Sequence, residues 1–386
     1  MWVATAIVAT VALAEARQSP RAPTDSMLAQ AHLDEANGTY DMALDRLYTL
    51  ELEYPRTPAA VAGRADLARL LALRGDLPAA ILQAQAFRNE STDEAHRKRM
   101  LDFTTIVARR LRSKTPSSLF AASDLIPVRG LMDTDEPTGL VVLPDGAFLL
   151  VDSGAKRLYR VEPGLETAAR VLEKERTTAA ASWAGGSLIV GVKTGLMVIP
   201  GDRLLSTAGA WDNKPRRIQN VRSMAVNSRD ELFVVDGDYD KGLLRCDRDA
   251  ASCSPWAQSG KLRTVKVGPS DFVLTLDDKD AVRLYNDRGK LLVTLAPMAG
   301  GLRIEDIADV AVDRAYSIYR LDAKNRRVVV DALRVAADGS YTADLVGVAA
   351  IHANDRGLKN PSALAVTNDG EVVVADKGTS RFVRFR

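Results

Sequence analysis

Three stretches of the sequence repeat one short pattern: an apolar strand, a tight polar turn, a second apolar strand and a terminal Asp. They are Pro137–Val142 with Phe148–Asp152, Ser223–Val226 with Leu232–Asp236, and Pro361–Val366 with Val372–Asp376. The turns are Pro144-Asp145-Gly146, Arg229-Asp230 and Asn368-Asp369-Gly370, residues suited to joining antiparallel strands. A unit this short cannot bury its own apolar face, so it must stack against copies of itself. In the first and third stretches an Arg follows the Asp by five positions, at Arg157 and Arg381. Two further units keep the second half of the pattern, as Asp278 with Arg283, and as Asp322 with Asn325 and Arg327. Another, around Ser187–Ile199, lacks the Asp.

Six units result, near 137–161, 182–199, 221–246, 263–285, 305–330 and 361–386. Their spacing suits blades of four strands arranged in a ring. A strand ending in Asp, a turn with Asn and an Arg opening the next strand resemble the NHL repeat. That resemblance implies a six-bladed β-propeller over residues 118–386. It also implies that Asp152, Asp236, Asp278, Asp322 and Asp376, with Arg157, Arg283, Arg327 and Arg381, are structural. Each Asp would cap the backbone N–H groups of its turn, and each Arg would pair with it or with a neighbouring blade. The last unit is one strand short, and a bare sheet edge invites aggregation. Ser118–Val128 is therefore expected to pair with Phe382–Phe385 and close the ring.

Residues 26–114 read differently, with apolar residues recurring at three- and four-residue spacing. Two of their segments match, Gly38-Thr39-Tyr40-Asp41-Met42-Ala43-Leu44 and Gly75-Asp76-Leu77-Pro78-Ala79-Ala80-Ile81. Gly at an inter-helix turn, an aromatic two positions on, Ala at a close crossing and a closing Pro resemble the tetratricopeptide repeat. Gly38, Tyr40, Ala43 and Pro55 fit that pattern, while Leu77 departs from it in the second copy. The expected fold class is α + β: N-terminal helical hairpin repeats, then a mainly antiparallel six-bladed propeller. Such helices would offer a groove for a peptide, or a packing element for the propeller.

Residues 1–16 read as an export signal, with an uncharged run from Trp2 to Ala14 and a small-x-small site at Ala14-Glu15-Ala16. No Lys or Arg precedes that run, and it is too short to span a bilayer. Cys246 and Cys253 flank a turn-like Asp-Arg-Asp-Ala-Ala-Ser and could bridge a hairpin in an oxidising compartment; the alternative is two free thiols. Both features place the mature chain outside the cytoplasm, periplasmic or extracellular, without a transmembrane span. With 52 basic and 50 acidic residues and 5% aromatics, the chain lacks both the charge and the stacking surface of a nucleic-acid binder.

The residues give no catalytic constellation, metal set or cofactor motif. Lactonases of the gluconolactonase type hold a cation in the ring, and the candidates here are Glu136, Asn227 and Asp309, with nothing in their spacing that brings them together. A lyase-type metal site needs several His, whereas His32 and His96 fall in the helical part and only His352 in the propeller. The carboxylates of Asp236-Gly237-Asp238-Tyr239-Asp240 depart from a Ca²⁺ loop, with Gly at the seventh position and Asp247 in place of the closing Glu. The reading is an exported, non-enzymatic binding or scaffold protein with a protein or peptide partner. Trp183, Trp211 and Trp256 lie between blades and, if exposed, would mark a contact surface. The alternatives are a metal-dependent, lactonase-like hydrolase at the channel and an envelope assembly factor that takes client segments.

Overall fold

A computed structural model of the chain describes residues 23–132, 134–173, 177–211, 214–351 and 360–386. The export signal expected at 1–16 lies outside them. Five helices come first: α1 (Pro23–Ala36), α2 (Tyr40–Glu53), α3 (Pro58–Arg74), α4 (Leu77–Glu90) and α5 (Glu94–Arg112). Their limits follow from local chemistry. Thr57, Asp76 and Asp93 cap α3, α4 and α5 by accepting backbone N–H bonds at 3.2, 3.1 and 3.0 Å. Gly38 and Gly75 take φ of 83° and 91° between helices, where a side chain would be strained. After each Gly, Tyr40 or Leu77 opens the next helix, and Ala43 or Ala80 is fully buried three residues further on. The matched segments of the sequence are thus two equivalent helix-to-helix corners.

The six blades follow. The first is Pro137–Val142, Phe148–Asp152, Arg157–Val161 and Ala168–Glu173; the second is Thr177–Ser182, Leu188–Val192, Gly195–Ile199 and Arg203–Leu205. The third is built on Val221–Val226, Leu232–Asp236, Gly242–Cys246 and Ser252–Gln258. The fourth is Leu262–Val267, Val273–Asp277, Val282–Tyr285 and Leu291–Leu295, and the fifth Ile307–Val312, Ser317–Asp322, Arg327–Val335 and Tyr341–Ala350. Blade six takes Pro361–Val366, Val372–Asp376 and Arg381–Phe385 from the end of the chain and Ser123–Pro127 from before blade one. That last pairing is antiparallel, Ser123 facing Phe385 and Pro127 facing Arg381, as ring closure demands. The second strands are buried on both faces in blades one and three to six, because each sheet packs against a neighbour on either side.

Two features were not anticipated from sequence. Blade two begins at Thr177, earlier than 182, because its first strand is the small-residue run Thr177–Ser182, which carries little apolar signal. A hairpin of Ala208–Trp211 and Lys214–Arg217 adds to the outer edge of blade three, its first strand running parallel to Ser252–Cys253. The edge that would otherwise be bare is covered.

Blade five carries the connection between the two parts. Its outer hairpin has strands of nine and ten residues, long enough to project beyond the ring. The tip at Gly339 approaches the backbone of Gly38 so closely that a Cβ there would meet the Gly38 carbonyl at 2.5 Å. One apolar cluster runs continuously from Tyr40, Leu71, Phe103 and Ile106 of the helices into Phe272, Tyr316, Leu333 and Tyr341 of the propeller. The hydroxyls of Tyr40 and Tyr341 meet in a buried hydrogen bond. Arg110 donates to the Ala315 carbonyl at 2.9 Å, Arg74 to Val335 and Arg334 to Ala72, both at 3.3 Å. These exchanged arginine–backbone bonds fix the orientation that apolar burial alone would leave loose.

Phe382 is fully buried in the closing blade. Phe382→Ala is expected to lower stability by about 3–5 kcal/mol in urea denaturation. Removal of Phe120, half-buried against Phe385, should cost less.

Candidate functional site: the channel and its two mouths

The first strands of the six blades line a central channel, whose interior holds a cavity of about 270 Å³. All six show a register shift near their N-terminal ends, between Pro137 and Gly139, Thr177 and Ala179, Val221 and Ser223, Leu262 and Thr264, Ile307 and Val310, and Pro361 and Ala363. Such bulges bend a strand and re-aim side chains, and here they form a ring at one mouth. Inside, Lys266 Nζ lies 3.4 Å from Asp309 Oδ2. Asp309 is buried and accepts from the N–H groups of Leu364 at 2.9 Å and Val310 at 2.8 Å. Burial pushes its carboxyl above the usual range, against the pull of the Lys266 charge.

The bulged mouth opens into a funnel of about 910 Å³, lined by Thr138, Thr178, Arg222, Arg263, Thr264, Asn360, Ser362 and Lys377 among others. Thr138, Thr178, Arg222 and Thr264 also line the inner cavity, so funnel and channel are one passage.

The opposite mouth lies under the helices. Two clefts, of about 920 and 550 Å³, separate them from the propeller and share Asp66, Arg69, Ser228 and Ser270. His32 Nε2 lies 2.8 Å from Asp66 Oδ2, and Arg69 pairs with both Asp66 and Glu35. The bond to Asp66 raises the His32 pKa. Burial pushes Asp66 up, but His32 and Arg69 outweigh it and hold the carboxyl below its usual value. Ser270 and Asp271 both adopt positive φ at this mouth; Ser270 bonds the Tyr316 hydroxyl at 2.8 Å, and Asp271 accepts from Ser228 at 2.8 Å.

The repeated Asp and Arg residues sit away from the channel cavity, the Asp at the ends of the second strands and the Arg at the starts of the third. Asp152 accepts from the N–H groups of Asp135, Glu136 and Ala155 at 3.0, 2.8 and 3.2 Å, and Asp236 from Gln219 and Asp238 at 3.2 and 2.8 Å. Asp322 holds Asn325 and Arg327, the latter at 2.9 Å, and Asp376 accepts from Asn360 at 2.5 Å. In blade four the residue is Asp277 rather than Asp278. Asp277 faces Leu262 in the register and binds Arg283 at 2.7 Å; in an Asp-Asp pair the sequence leaves the choice open. In blade two Val192 takes the place of the Asp. Arg157 lies directly across from Asp152, and Arg381 pairs with Pro127 of the closing strand.

Cys246 and Cys253 face each other across adjacent strands of blade three and are joined in a disulfide. Trp256 is wedged between Phe233 and Tyr285, with ring centroids 4.9 and 5.9 Å away, and Trp183 is half-buried with its indole N–H on the Asp230 carbonyl. Both fill seams between blades rather than present an exposed surface, because an indole is the largest apolar body available for a gap between twisted sheets. The Trp211 side chain and His352 lie outside the described residues. The lactonase-type candidates are dispersed: Glu136 lines the funnel, Asp309 the inner cavity, and Asn227 the capped cleft, where it bonds Glu231 at 2.6 Å. Among the described residues no helix is long and apolar enough to cross a membrane.

The fold is a six-bladed β-propeller preceded by five helices. Residues 358–385 match the NHL repeat. Among solved structures, a protein provisionally assigned as a gluconolactonase is 16% identical, with a TM-score of 0.50 over 71% of this chain and 97% of its own. A gluconolactonase from Xanthomonas campestris is 12% identical, with a TM-score of 0.49 over 69% and 90%. A Bacteroides thetaiotaomicron protein of unknown function is 12% identical, with a TM-score of 0.48 over 68% and 76%. These likenesses are to the fold. No curated protein sequence matches the chain.

The His32–Asp66 pair predicts a pH signature. Because the folded His32 pKa is raised, its contribution is fully present below the usual 6.5 and is lost as pH rises through the folded value. Urea midpoints of the native protein should fall across that window, and His32→Gln should flatten the slope. An unchanged slope would remove the pair from the stability of the capped face.

Proposed function

We propose that the protein is an exported, non-enzymatic binding or scaffold protein that engages a protein or peptide partner through the open mouth of the propeller. The observation that carries this is the asymmetry of the channel. The helices bury an apolar surface against one end of the ring, and the other end stays a wide polar funnel. Partner recognition on propellers suits a rigid ring with loops at its faces. The helices act first as a packing element, since Tyr40, Phe103 and Ile106 are committed to the interface; their tetratricopeptide-like corners leave the outer face free for a second contact.

Export is supported by the apolar N-terminal run and by the Cys246–Cys253 bridge. The lactonase-like alternative draws on fold likeness alone, and the dispersal of Glu136, Asn227 and Asp309 gives it no shared cation position.

The test is a two-part measurement on the purified, unchelated protein. Elemental analysis should find no stoichiometric Ca²⁺, Zn²⁺ or Mn²⁺, and lactone substrates should not turn over. In parallel, a displayed library of random peptides should yield binders whose capture is lost when funnel residues are substituted. Metal at one equivalent with lactone hydrolysis would overturn the proposal in favour of the hydrolase.

A further inference from the structure

The passage from funnel to channel has an excess of cations over carboxylates that the binding reading alone does not require. Arg326 and Lys377 stand in the funnel, Arg222 lines both funnel and inner cavity, and Lys266 lies within the cavity. Among the described residues Arg222, Arg326 and Lys377 form no ion pair. The other two cations of the funnel are already engaged, Arg263 with Asp280 at 2.5 Å and Lys324 with Glu305 at 2.8 Å. Lys266 shares its charge with Asp309, yet an ammonium has three donors, and that contact uses one of them.

Two carboxylates, Glu136 and Asp306, also line the funnel, but neither reaches the inner cavity. Cations outnumber carboxylates in the funnel and again, Arg222 and Lys266 against one, in the inner cavity. There the acidic group present is Asp309, which is held by Lys266 and two backbone N–H groups. The Ser362 hydroxyl in the funnel is a further donor, buried without a hydrogen-bond partner. A buried hydroxyl left unpaired costs stability unless something else satisfies it. Cations and a free donor converging on one concave passage are complementary to negative charge.

We propose that the open mouth takes an acidic peptide segment of the partner, with a carboxylate entering the passage past Arg222 toward Lys266. This rests on the reading of the open mouth as the binding face and adds to it the chemistry of what enters. The bulge ring suits the same occupant. Bulged residues leave local backbone groups outside the ladder, available to a peptide's own amides, while the arginine and lysine select its charge. Attraction of this kind steers association and weakens with salt.

The experiment uses the full chain and fluorescein-labelled hexaglutamate as probe, read by anisotropy. Hexaglutamate should bind, bind more weakly as salt rises, and lose about tenfold in affinity in Arg222→Met. Lys266→Met should lose as much; because it leaves Asp309 without its partner, its folding is checked by circular dichroism. Arg222→Met touches no buried ion pair and keeps the test decisive if Lys266→Met fails to fold. Equal hexaglutamate affinity for the wild type and Arg222→Met would overturn the proposal. Binding of an uncharged peptide of the same length but not of hexaglutamate would overturn it while leaving the peptide-binding function intact. Binding of inorganic pyrophosphate but of neither peptide would overturn both, and would assign the passage to a small phosphate.

Discussion

The strand pair between Ser123–Pro127 and Arg381–Phe385 is the contact on which the rest of the structure depends. The ring stays closed because one blade is assembled from both ends of the propeller segment. Without it, the last blade would end on an exposed edge and the channel would open along one seam. The closing strand also leads directly back to the helices, through the turn at Pro116–Ser118 and Leu119, which packs against Gly347 of blade five. A side chain at Gly347 would collide with a methyl carbon of Leu119. Closure of the ring and placement of the helices are therefore one structural event, propagated over few residues.

Within the ring, polar groups carry more of the specification than their number suggests. Each blade-ending Asp is buried, and a buried carboxylate is tolerated because backbone N–H groups donate to it, joined in blades four and five by Arg283 and by Asn325 and Arg327. The same economy governs blade five, where Arg320 and Asp331, both almost wholly enclosed, pair at 2.6 Å at the root of the long hairpin. A buried ion pair is weak evidence for net stability, but a partner removed leaves a charge stranded in the core. Such pairs penalise misregistered strands, which matters most for the one hairpin that must reach out to the helices.

The ring and its period were legible because the Asp-Gly turns and strand-ending Asp residues recur at Asp152, Asp236, Asp322 and Asp376, each forced by the same backbone geometry. Legibility failed where that chemistry was absent or doubled. Thr177–Ser182 lacks the apolar weight of a strand yet is buried by its neighbours, and Asp277–Asp278 offers two carboxylates where register alone selects one. The helical corners could be read from Gly38 and Gly75, since positive φ demands glycine there. What could not be read was that the helices lie over one mouth of the channel. That depends on Tyr40 meeting Tyr341, a contact across about three hundred positions that no local pattern encodes. Trp183 and Trp256 were ambiguous for a related reason: an indole in an irregular stretch reads the same whether it faces solvent or fills a seam.

The candidate site was the least legible element, and the cause is the architecture itself. Arg222, Lys266 and Ser362 come from the first strands of three blades, separated by tens of residues, and each alone is an ordinary polar residue on a strand. They become a set only when the ring closes and the bulges turn the strand ends inward. Capping then adds direction. With helices over one end, ligand access to the passage is favoured from the bulged side, where the unpaired cations stand. Low-dielectric walls keep the field of those cations focused along the passage.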